Sequence, residues 1–149
     1  VITTKSANTY ETELSEVLNE TASEASKQLG LNKPFSSGRT VYYTKHGSTK
    51  DRTCFITCSF DNLNQKRKWS FYAFDDSISV YGAKIGMTEN SAKQKLLKNK
   101  WKVFTRYYNK ATDSGFIIYK RGTYSMHVSQ KHNKLNQISF FNNEGLYYS

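Results

Sequence analysis

Thr88-Glu89-Asn90-Ser91-Ala92-Lys93-Gln94-Lys95-Leu96-Leu97-Lys98, followed by Asn99-Lys100-Trp101-Lys102-Val103-Phe104-Thr105-Arg106-Tyr107-Tyr108, changes its hydrophobic period part-way along. In the first segment Thr88 is placed to cap a helix over Glu89–Lys98, with Ala92, Leu96 and Leu97 as its apolar side. Lys95 and Lys98 share its polar face, with Lys93 at the flank. From Trp101 onward β-branched and aromatic residues alternate with polar ones, the signature of a strand. The alternation predicts that Trp101, Val103 and Tyr107 point one way and Lys102, Phe104, Arg106 and Tyr108 the other.

Further strands are expected at 115–120, 123–131 and 134–142. Upstream, the clearest helical pattern covers 8–30, capped by Thr9 or Asn8 and stopped by Gly30. Its stripe is Tyr10, Leu14, Val17, Leu18, Ala22, Ala25 and Leu29. After Pro34 and a Ser36-Ser37-Gly38 turn the period changes to two, and strands are expected at 39–46, 53–60, 67–74 and 77–82.

The two halves share an order of features. Each has a helix, then Ser-Gly (Ser37-Gly38; Ser114-Gly115), an aromatic strand, a Gly turn, and a Leu-Asn-Gln (Leu63-Asn64-Gln65; Leu135-Asn136-Gln137) before a last aromatic strand. The expected architecture is therefore α+β. Two helix-plus-antiparallel-strand repeats, 8–82 and 85–142, form one layered sheet-and-helix domain across residues 1–149.

Gly86-Met87-Thr88 opening a helix before antiparallel strands resembles the tandem-repeat fold of the β-lactamase inhibitor protein family and related outer-membrane assembly lipoproteins. In the inhibitor family a Leu-Gly-x-Pro-like turn would follow the helix, where this chain has Lys98-Asn99-Lys100-Trp101. Asp113-Ser114-Gly115-Phe116-Ile117-Ile118-Tyr119, with His132-Asn133-Lys134-Leu135 downstream, also resembles the immunodominant staphylococcal antigen B family, basic exported proteins credited with nucleic-acid binding. The resemblance covers residues 85–142, and nothing in it implies an enzyme.

The 149-residue chain carries a net charge of +10, yet residues 1–30 hold Lys5 and Lys27 against Glu11, Glu13, Glu16, Glu20 and Glu24. The positive excess thus lies downstream, and such a field attracts polyanions. Eleven Tyr and nine Phe supply large apolar areas to a chain whose hydrophobic content is only 37%. No stretch has the ~20 apolar residues of a membrane span. Val1 to Asn8 has no signal-peptide pattern and reads as a mature or trimmed start. With few cysteines and a Lys-, Asn- and Tyr-rich composition, the expectation is a secreted or surface-associated protein of Gram-positive type.

Cys54 and Cys58 lie four residues apart in a strand-like stretch. That is about 13 Å along the chain, beyond the ~4.4–6.8 Å reach of a disulfide. Buried free thiols are expected, and no histidine or cysteine pair completes a zinc site. The histidines are His46, His127 and His132, and Asp75-Asp76 reads as turn chemistry. Phosphate loops, serine elbows and zinc-protease motifs are absent, so no catalytic residue, metal or cofactor is expected.

What remains is basic and aromatic interleaving, as on sheets that hold single-stranded nucleic acid: charge follows phosphates and rings stack on bases. The candidate polyanion-binding residues are Lys95, Lys98, Lys102, Arg106 and Tyr108, with Lys68 and Tyr72 from the first half. Two alternatives stand beside this reading. One is a protein–protein inhibitor or host-interaction protein that covers its target with an aromatic-rich sheet face. The other is a small ribonuclease using two histidines and a lysine.

Overall fold

Period-two alternation dominates the chain, and the computed structural model, which describes residues 12–143, turns it into ten strands and two α-helices. In chain order these are β1 (Thr12–Glu13), a 3-10 helix (Leu14–Val17), α1 (Ala22–Gln28), β2 (Lys33–Ser37), β3 (Thr40–Thr44) and β4 (Phe55–Ser59). A second 3-10 turn (Phe60–Asn62) precedes β5 (Ser70–Ala73) and β6 (Ile78–Ser79). The remainder is α2 (Glu89–Lys98), β7 (Lys102–Asn109), β8 (Ser114–Arg121), β9 (Tyr124–Lys131) and β10 (Lys134–Asn142). Eight strands form one antiparallel sheet in the order β2-β3-β4-β5-β10-β9-β8-β7, so the protein is α+β and mostly strand. Each α-helix precedes a four-strand meander, and the two meanders meet where β5 pairs with β10.

The register defines two faces. Pro34, Tyr43, Ile56, Phe71, Phe140, Met126, Tyr119 and Val103 lie in one row across all eight strands. Most of this row is buried, and it packs under both helices: Ala22, Ala25 and Leu29 of the first helical region and Ala92 and Leu96 of α2 join the same core. Leu14, Val17, Ile78 and Val80 add to it, so β1 and β6 lie on this inward side too. Trp101, at the exit from α2, is 1% exposed and meets Tyr81 and Phe140 edge-on at 5.5 and 5.9 Å. Leu97, expected on the apolar side of α2, is instead exposed.

The helix expected over 8–30 forms only from Ala22 to Gln28; residues 8–11 lie outside the described residues. Two interactions divide it, one local and one reaching across the chain. Thr21 and Glu24 close a capping box, which fixes a new helix start. Before that, the Glu13 carboxylate accepts hydrogen bonds from the backbone N–H groups of Ser15 (2.8 Å), Tyr81 (2.7 Å) and Gly82 (2.9 Å) and from the Ser79 hydroxyl (2.8 Å). Such side-chain-to-backbone bonds compete with helix formation. The apolar stripe was nevertheless a true guide to burial, since Leu14, Val17, Ala22, Ala25 and Leu29 are all buried.

The same carboxylate accounts for the strand expected at 77–82. Only Ile78–Ser79 is extended, and it pairs in parallel with β1 in a separate two-stranded sheet. The chain then turns through Tyr81 and Gly82, both left-handed (φ 53° and 85°), so that successive N–H groups converge on Glu13. Lys33–Ser37, left out of the expected strands, is a strand that takes in Ser36 and Ser37 of the expected turn. It lies at the sheet edge, where a residue without an N–H is tolerated.

Glu13→Ala should lower stability by about 2–3 kcal/mol, the scale of losing several bonds to one charged acceptor. Urea denaturation should give Glu13→Gln an intermediate midpoint.

Cys54 and Cys58 are free and buried, and burial pushes their thiols up to about 12 and about 11. Cys54 also lies 3.3 Å from the Asp75 carboxylate, and Cys58 donates to the Lys68 carbonyl. Since the thiolate is the reactive form, a maleimide at neutral pH should leave both unlabelled in the native protein and label both in denaturant.

Candidate binding surface

The outward face of the sheet is built by the residues between the core positions. In β4 and β5, Ile56, Cys58, Phe71 and Ala73 point inward, which sends Phe55, Thr57, Ser70 and Tyr72 outward. Carried across the register, the rule lines up Phe35, Tyr42, Phe55, Tyr72, Phe141 and His127 from β2, β3, β4, β5, β10 and β9. Their rings form an unbroken series. Centroid separations are 4.9 Å (Phe35–Tyr42), 6.1 Å (Tyr42–Phe55), 5.1 Å (Phe55–Tyr72), 5.8 Å (Tyr72–Phe141) and 5.3 Å (Phe141–His127). Ser125 and Ser139 point the same way but are only 5% exposed, because flanking side chains shield them.

Charge on this face has one sign. None of the eight strands contains an Asp or Glu, whereas Lys33, Lys102, Lys120 and Lys131 share the outward register. Two cations lie on rings: Lys120 Nζ is 4.0 Å from the Phe104 centroid, and the Arg52 guanidinium is 4.6 Å from that of Phe74.

Tyr72 is therefore central to the stripe and Lys102 lies at its far end opposite Lys120. Lys68 is half-buried and lines a shallow polar depression at the margin of this face with Thr57, Ser70 and Asn142. The other four candidates are elsewhere. A β-bulge at Phe104 shifts the register, so Lys102 matches Lys120 whereas Arg106 matches Ile117 and Tyr108 matches Gly115. Arg106 and Tyr108 consequently belong to the inward, helix-bearing side, and the single face expected for Lys102, Phe104, Arg106 and Tyr108 is divided. Lys95 and Lys98 are on α2, on that same side, with the Lys95 stem lying against Gly82.

Phe35, Phe55 and Phe141 were missed as residues of this face, although the alternation of Cys54, Ile56 and Cys58 with Phe55 and Thr57 contained the signal. No known family model, curated protein or solved structure matches this chain. The surface is therefore read from its own chemistry.

A second polar cluster lies at the other side of β7. Tyr108 Oη donates to Asp113 Oδ1 (2.9 Å), and His132 Nδ1 lies 3.3 Å from Asp113 Oδ2. These contacts, Tyr108 first, hold the Asp113 carboxyl below its usual range and push the Tyr108 phenol up. Arg106, Glu89, Gln130 and Asn133 line the adjoining hollow. His127 is outside it, five residues up β9 from His132, or about 16 Å along an extended chain. His127 and His132 are therefore not brought together. Among the described residues no group of three or more His, Cys, Asp or Glu side chains is placed to hold a metal ion.

Desolvation, and then the Lys120 charge, lower the His127 pKa below its ordinary value of 6.5. The unfolded chain therefore binds this proton more readily than the folded one. The neutral ring's contribution to stability is complete above pH 6.5 and is lost as pH falls through the folded value. An NMR titration should place the His127 midpoint below 6.5, and Lys120→Met should move it upward.

Proposed function

We propose that this chain is a non-catalytic binding protein whose outward sheet face holds a polyanion, single-stranded nucleic acid being the class that fits it best. The observation that carries the reading is the continuous ring series on a face whose strands contain lysine but no carboxylate. Six strands at ~4.8 Å spacing make it about 24 Å long. Bases stack on aromatic side chains with little sequence preference, and lysines at the margins follow the phosphates. A neutral His127 adds a flat ring without opposing charge. The helix-plus-meander order of the two halves supports reading them as copies of one unit, in keeping with the tandem-repeat resemblance.

The test is binding of fluorescein-labelled oligodeoxythymidine followed by anisotropy through a salt series. Stacking contributes about 1–3 kcal/mol per base, so Tyr72→Ala with Phe141→Ala should weaken binding at least tenfold. Lys102→Glu with Lys120→Glu should flatten the log–log salt slope, by about 0.7 per lost phosphate contact. Undetectable binding at low salt overturns the proposal. So does a result in which Lys95→Glu with Lys98→Glu abolishes binding while the Tyr72/Phe141 variant binds normally, since the site would then be on the helix side.

A further inference from the structure

The sheet has two edges, and they are unlike. β2 is five residues long and carries Pro34, which has no N–H to offer. β7 is eight residues long, contains no proline, and is the terminal strand at the other end of the sheet. Every side chain from Lys102 to Tyr108 is exposed. Val103 (38%), Phe104 (61%), Tyr107 (53%) and Tyr108 (57%) account for most of the large exposed hydrophobic residues among those described. Below the bulge, Thr105–Asn109 pairs with β8 in unbroken register. Gly115 lets the strands approach closely there, as a Cβ on it would collide with the Tyr107 carbonyl.

We infer that the outer edge of β7 is a docking site for an extended acidic segment of a partner protein, which adds to the sheet as a ninth strand. The main chain of Thr105–Asn109 presents donors and acceptors together, repeating about every 6.8 Å. A peptide strand matches that alternation, whereas a phosphate backbone offers acceptors alone. Side chains flank the edge on both faces: Tyr107 lies outward beside Phe116 (5.6 Å), and Tyr108 lies inward on Asp113. A docked strand would thus meet aromatic neighbours on either side.

Charge selects the occupant. Lys102 and Arg106 lie on β7, Lys100 and Lys110 flank it, and the strand contains no acidic residue. A second copy of the chain would oppose these cations with their like, which destabilises a strand pair. A glutamate-bearing segment would neutralise them.

The experiment uses a blocked peptide of alternating glutamate and valine, matched in length to β7, added to the intact protein. Amide hydrogen exchange should slow at alternate residues of Thr105–Asn109. A control with proline in place of valine keeps the charge but removes half the donors, and it should give no protection. Lys102→Glu with Arg106→Glu should weaken binding of the first peptide at least about tenfold. The inference is overturned if the amides are unprotected, if the proline control binds equally, or if the reversed variant binds as well as the parent. Protection of the same amides by self-association, with a dimer in sedimentation, would overturn the acidic partner in favour of a second copy.

Discussion

An eight-stranded sheet has two faces, and this chain covers one of them. Both α-helices, the small β1–β6 sheet and the exit from α2 contribute apolar residues to the same inward core. Nothing comparable among the described residues lies over the other face. The outward positions must then satisfy two demands: they must shield the strands and remain compatible with water. Half-buried rings packed against one another, with small serines beneath and lysines at the margin, meet both. The aromatic richness of the sequence therefore serves two surfaces at once. Phe71, Tyr119 and Phe140 fill the core, while Phe55, Tyr72 and Phe141 line the face beyond it.

The second half of the fold was legible almost residue by residue. Thr88 caps α2 as expected, and β8 to β10 fall within a residue of their predicted bounds, because capping and period change are both local signals. The first half was less so. Its helix was divided by Glu13, whose hydrogen-bond partners include residues more than sixty positions away. No local pattern announces such a contact, and it also withdrew residues 80–82 from the expected strand. Pro34 misled in another way. Its meaning depends on whether the strand lies at an edge, and that is a property of the whole sheet.

The ring-lined outward face was legible only in part. Interleaved lysines and rings were expected on a sheet face, and Tyr72 and Lys102 fall on the outward one. Arg106 and Tyr108 do not, because one extra residue at Phe104 reverses the alternation for everything after it. Period-two reasoning contains no warning of a bulge. The consequence is a β7 in which Lys102, Thr105 and Tyr107 face outward while Arg106 and Tyr108 face inward, Tyr108 reaching the Asp113–His132 cluster.

The seam between the meanders also has a kinetic meaning. Ala73, Tyr72 and Phe71 of β5 pair with Ile138, Ser139 and Phe140 of β10, and the chain between them contains α2 and three of the longest strands. Every other ladder in the large sheet joins strands that are successive members of one meander, so each meander is assembled largely from local contacts. The seam alone requires closure of a long loop, the slow step in acquiring non-local structure. It also completes the ring series, since Tyr72 and Phe141 approach each other only across it. Assembly of the two halves and completion of the outward surface are thus one event, and a nascent chain released before β10 is made would join only the four rings of the first meander.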